Sequence, residues 1–129
     1  MQWKAPKNTV KYYWTKHIQM KMRQYGISEA RVKRILRAPL RTETGIAPDT
    51  VAVMQPLSTR YDAAKRKKVW TQELWLMYQV RGGARAVASP EAAMRPAQLR
   101  LISVWRYPGV TKPGEGVPAE ILAEIAALV

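Results

Sequence analysis

An α+β domain is the fold class this sequence predicts: a short N-terminal strand, two helices, a three-stranded mostly antiparallel sheet and a C-terminal helix. Three observations point to it. Between Trp14 and Pro39, apolar residues recur at helical spacing on both sides of a Gly26-Ile27-Ser28 break. Val69–Val80 and Gln98–Tyr107 are rich in β-branched, aromatic and aliphatic residues, which suit a pleated surface. After Pro118 the pattern turns helical again, with Ile121, Leu122, Ile125 and Leu128 as its buried side.

Taken in order, residues 1–9 are a polar lead-in and residues 10–129 a single domain, a length that supports a real core. Val10–Thr15 mixes β-branched and aromatic residues and predicts a short strand. Thr15 then suits the N-cap of a helix whose apolar stripe is Ile18, Met22 and Tyr25. His17, Lys21 and Gln24 repeat that spacing on another face, one turn apart. Gly26 fits the left-handed position that ends this helix.

Ser28 caps the second helix, and Glu29 in its first turn complements the dipole. Val32, Ile35 and Leu36 are its buried stripe, Arg31, Lys33, Arg34 and Arg37 cover the other faces, and Pro39 stops it. Thr44–Thr50 reads as a turn and Thr50–Met54 as a strand ending at Pro56. The polar run Lys65-Arg66-Lys67-Lys68 lies between strands.

In Val69–Val80, alternation places Trp70, Gln72, Leu74, Leu76 and Tyr78 on one face and Glu73, Trp75 and Met77 on the other. Apolar residues on both faces predict a central strand covered on each side. Residues 81–97 read as a long loop. In the last strand, Arg100, Ile102, Val104 and Arg106 share one face, and Leu99, Leu101, Ser103, Trp105 and Tyr107 the other. Tyr107–Val117 is a Pro/Gly-rich connector.

Charge is the strongest compositional fact. Twenty-two Lys and Arg against nine Asp and Glu give a formal +13. Such an imbalance repels itself in the folded state unless a polyanion is at hand, and nucleic acid, as RNA or ribonucleoprotein, is the commonest one. A basic chain selecting an acidic protein partner is the alternative. Cysteine is absent, which excludes disulfides and thiolate metal sites. One His and scattered acids offer no metal-ligand spacing, so no metal and no cofactor are expected. The glycines and lysine of GVTKPGEG lack P-loop spacing, and no GxSxG elbow exists. The polar, basic opening is unlike a signal peptide and no run is long enough to span a bilayer, so a soluble cytoplasmic protein without membrane contact is expected.

The one constellation with chemistry in it is His17 with Lys21. Cleaving RNA needs a base for the 2′-hydroxyl proton, a cation near the phosphate and an acid for the leaving oxygen, all of which His, Lys, Arg and Tyr supply without metal. An ammonium one turn from an imidazole favours its neutral, basic form. The plainer alternative is that His17 packs at the strand-to-helix junction. Lys65, Arg66, Lys67 and Lys68 suit phosphate contacts or a solvated hairpin tip, and Arg31 and Arg34 an RNA-facing helix or an ordinary surface. Trp105 and Tyr107 beside Arg106 suit base stacking or the core.

Thr15-Lys16-His17, Lys21-Met22, Tyr25-Gly26-Ile27-Ser28 and Val32 together resemble the opening of a bacterial family of unknown function. Its usual pattern is a histidine, an Arg-Met pair four residues on, then Arg-Gly-Ile-Ser and a second helix. That family is similar to the BrnT and RelE toxins of toxin–antitoxin systems. Leu101–Arg106, LISVWR, resembles its late strand. Lys21 stands where the family usually has Arg, Tyr25 where a second Arg is common, and Ser103 and Trp105 where Thr and Tyr are usual.

The resemblance covers about the first third of the chain and this strand. It implies two helices followed by an antiparallel sheet, RNA binding, metal-independent endoribonuclease activity and an acidic antitoxin as partner. His17, Lys21 and, by strand position, Arg106 are the implied catalytic residues. A non-catalytic basic module for nucleic acid or an acidic protein is the rival expectation.

Overall fold

The computed structural model describes residues 3–44, 49–83, 91, 94, 96–113, 122–123 and 126–127. Nine elements follow in order: β1 (Tyr12–Trp14), α1 (Lys16–Tyr25), α2 (Glu29–Arg37), β2 (Arg41–Thr44), β3 (Thr50–Leu57), β4 (Arg60–Asp62), β5 (Lys67–Val69), β6 (Gln72–Arg81) and β7 (Gln98–Tyr107). The class is α+β, with a five-stranded mixed sheet in the order β1-β7-β6-β3-β2 and a separate two-stranded sheet of β4 and β5. β1 runs parallel to β7, and the other pairings are antiparallel.

The expected three-stranded sheet is therefore corrected. Arg41–Thr44, RTET, forms an additional edge strand on β3, although nothing in its polar sequence marks a strand. β3 also continues through Pro56 to Leu57 instead of stopping at Met54. Leu40 donates its backbone N–H to the Met54 carbonyl at 2.8 Å, so Met54 faces β2, as does Pro56 two residues on. β2 pairs only with residues 51–54, and the proline's missing N–H falls where no neighbour needs it. The long loop at 81–97, the tip of the 44–50 turn, the far end of the 107–117 connector and the helix expected after Pro118 lie wholly or largely outside the described residues. Only two helices stand among the described elements.

Both helices carry the predicted ends. Thr15 Oγ1 accepts the Ile18 N–H at 3.2 Å and donates to the Leu101 carbonyl at 2.8 Å, so one hydroxyl caps α1 and ties it to β7. Gly26 takes φ 66°, and the Gly26 and Ile27 N–H groups donate to the Arg23 and Met22 carbonyls. That is the paired hydrogen bonding of a Schellman stop, with Met22 and Ile27 both buried beside it. Ser28 Oγ accepts the Arg31 N–H at 3.1 Å to start α2. Gln55 Nε2 donates to the Arg34 and Ala38 carbonyls and closes its other end from β3. The lead-in is also anchored, since the Arg23 guanidinium lies 5.8 Å over the Trp3 ring.

The sheet separates two cores. On one face Ile18, Met22, Val32 and Ile35 of the helices pack with Val53, Leu74, Leu76, Leu101 and Val104. On the other, Ala52, Met54, Trp75, Met77 and Trp105 cluster, with the Trp75 and Trp105 rings stacked at 6.1 Å and 6°. Trp105 is thus core, not a base-stacking platform. Leu101 joins the face of Val104, contrary to simple alternation along β7. The register steps from Met77↔Ser103 to Tyr78↔Leu101, leaving Ile102 as an extra residue that flips the faces on either side of it. Burial raises the pKa of the Tyr78 phenol above its ordinary 10.0.

A polar knot holds the second face. Glu73, fully buried, accepts from Trp70 Nε1, Trp75 Nε1, Thr111 N and Thr111 Oγ1 at 2.6–3.2 Å. The Thr111 hydroxyl in turn accepts from Arg41, whose other nitrogen donates to Glu43 Oε1 and to the Lys112 carbonyl. The start of the connector is thereby pinned across the sheet from β6 to the β2 edge.

Candidate nucleic-acid interface

β3 and β6 do not end where they leave the sheet. Ser58 adopts φ 54°, the ladder breaks, and the same hairpin resumes as the β4–β5 arm with Arg60↔Val69, Tyr61↔Lys68 and Asp62↔Lys67 opposite one another. Residues 63–66 close it. Asp62 Oδ1 accepts the Ala64 and Lys65 N–H groups at 3.0 and 3.1 Å, and Arg66 takes φ 53°. Arg60, Lys65, Arg66, Lys67 and Lys68 are all exposed. The one carboxylate between them, Asp62, is occupied in holding the turn. Tyr61 is 64% exposed on the same face as Lys68, giving an aromatic ring among the cations. Base–aromatic stacking beside a cationic track is the usual chemistry of single-strand binding. Nothing in the sequence marks Tyr61 and Arg60, because their value depends on the strand pairing that puts them on an arm.

The sequence-predicted catalytic residues fall in two places. His17 lines a cleft of about 210 Å³ with Tyr13, Thr15, Lys16, Arg100 and Ile102. Arg106 lines another, of about 280 Å³, with Gly26, Ile27, Ser28, Arg31, Leu57 and Leu74. α1 connects them lengthwise: Thr15 at its start bonds Leu101, and Arg106 Nη2 donates to the Tyr25 carbonyl at its end, 3.2 Å away. Ten helical residues separate the two clefts by about 15 Å. Lys21 lines neither and is only 7% exposed. The helix turns it inward, because on a short helix against a sheet the positions flanking the apolar stripe are covered too.

His17, Lys21 and Arg106 therefore do not converge. Arg100 and Lys16 are the cations that share the His17 cleft. Arg106 stands near the far end of β7, beside the end of α1, whereas Arg100 near the strand's start reaches the His17 cleft. Of the predicted phosphate-binding residues, Arg31 joins Arg106, Arg34 stays exposed on α2, and Lys65–Lys68 form the arm's tip. Among the described residues no group of three His, Cys, Asp or Glu side chains gathers as a metal site, and no helix is long and apolar enough to cross a membrane.

Comparison with protein-family models, curated proteins and solved structures finds no match to this chain.

Proposed function

We propose that this protein binds RNA along the β4–β5 arm. The carrying observation is the arm itself: five exposed cations on a two-stranded ribbon whose single carboxylate is spent on its own turn. All five side chains are exposed, and in close array their charges repel one another until phosphates neutralise them. The order of elements, a helix pair followed by antiparallel strands, supports the likeness to BrnT and RelE toxins, which otherwise rests on the motif residues around His17. An acidic protein is the rival ligand for the same surface.

The test is fluorescence anisotropy with a labelled single-stranded RNA. The wild type binds, and a variant carrying Lys65→Gln, Arg66→Asn, Lys67→Gln and Lys68→Gln binds far more weakly. Asparagine at position 66 tolerates the left-handed backbone, so the turn is kept. Equal binding by the two proteins refutes the reading.

A second reading, cleavage of the bound strand without metal, is favoured by the His17 cleft. There an imidazole, the Lys16 ammonium, the Arg100 guanidinium and the Tyr13 phenol line one concavity. His17 takes the 2′-hydroxyl proton, and the 2′-oxygen bonds to phosphorus as the bond to the 5′-oxygen breaks. That oxygen leaves with a proton from Tyr13, while Arg100 and Lys16 hold the phosphate charge. RNA incubated with chelator should be cut by wild type and not by His17→Ala. Equal cutting by both, or none by either, removes the enzymatic reading and leaves the arm reading intact.

A further inference from the structure

The cleft at the arm's root has no role in either reading. Arg31 from the first turn of α2 and Arg106 from the end of β7 line it together, and among the described residues no carboxylate does. The nearest acid in sequence, Glu29, is turned to Lys33 at 3.3 Å. One donor of Arg106 is fixed on the Tyr25 carbonyl, which orients the rest of its fork. Arg31 Nε is buried and has no hydrogen-bond acceptor among the described residues. Two guanidinium groups in one concavity, with no counter-charge among the described residues, suit a bound anion, and their planar forks suit a phosphate best. Ile27, Leu57 and Leu74 provide an apolar wall, as the sugar and base of a nucleotide would require and a bare ion would not.

Leu57 is also the last residue of β3 before the hairpin kinks into the arm. We infer that this cleft is a nucleotide-phosphate subsite in which Arg31 and Arg106 grip one phosphate of a strand whose flanking phosphates run out along Arg60 and Lys65–Lys68. The inference rests on the arm being a nucleic-acid surface. Either a 5′-terminal phosphate or an internal phosphodiester offers the chemistry.

Three probes test it with the full chain. In ¹⁵N-labelled wild type, adenosine 5′-monophosphate should shift the backbone amides of residues 26–31 saturably, in the arm variant as well, but not in Arg106→Gln. Arg31→Gln, which leaves the Tyr25 contact in place, should weaken RNA binding about tenfold through the lost charged hydrogen bonds. Comparing 5′-phosphorylated with 5′-hydroxyl RNA then assigns the source. A preference for the phosphorylated strand means a terminal phosphate, and equal affinity an internal one. If wild type binds RNA while the 26–31 amides stay still and Arg31→Gln binds as wild type does, the subsite is wrong and the arm reading stands. If wild type binds no RNA at all, the arm reading falls and the subsite with it.

Discussion

The hairpin from Thr50 to Arg81 is covered along its inner half and bare along its outer half. Inside, Ala52, Met54, Leu74, Trp75, Leu76 and Met77 are buried on the two faces of one sheet. Outside, beyond Ser58, all the side chains from Arg60 to Lys68 except Asp62 are exposed. One pairing geometry therefore serves two ends. The inner half is chosen for what it packs against, and its sequence is aromatic and aliphatic. The outer half needs only a turn and a ladder to hold itself, which frees its side chains for a partner. Stability and binding should accordingly be separable by mutation along the same two strands.

Trp75→Ala is the strongest way to test the inner half. It removes a ring stacked on Trp105 and lying under the Arg41 guanidinium, and should cost about 3–5 kcal/mol in denaturant unfolding. Glu73→Ala comes next. It strands the Trp70 and Trp75 indole N–H groups and both Thr111 donors in a buried site, for a loss of about 3 kcal/mol. A hydrogen-exchange measurement on Glu73→Ala should show the Thr111 amide losing protection well before the β6–β7 amides. A loss below about 1 kcal/mol would mean the knot does not hold the connector, since exposed sites behave that way.

Gly26→Ala tests the helix pair more gently. Nothing crowds the position where its Cβ would sit, so the cost is the φ of 66° alone, about 1 kcal/mol in unfolding free energy. The four-residue arm variant is the smallest in stability, within about 0.5 kcal/mol of wild type, because exposed charges away from packing contribute little. A clear drop in its melting temperature would erase the distinction between the two halves.

Much of the helix pair and of the inner half is legible in the sequence. Thr15, Gly26 and Ser28 announce their caps through local chemistry that acts within a few residues. Leu74, Leu76 and Tyr78 against Glu73, Trp75 and Met77 announce two covered faces by alternation alone. What stayed hidden depended on pairing between distant segments. Arg41–Thr44 is a strand only because Val51–Met54 offers it a free edge. The Ile102 bulge arises in register with β6 and reverses which residues of β7 share a face. For the same reason the site was half visible: Lys65–Lys68 stand out as a run, whereas Arg31 with Arg106, and His17 with Arg100, meet only through the fold. Glu73, a lone acid in a strand, gave no sign that it would gather Thr111 from 38 residues away.

The central claim, that the arm is where phosphates are neutralised, is most directly tested by measuring RNA affinity against salt for wild type and the four-residue arm variant. Each phosphate contact adds about 0.7 to the slope of log affinity against log salt on a single strand, so the variant's slope should be shallower by about 3. Parallel lines for the two proteins would contradict the account.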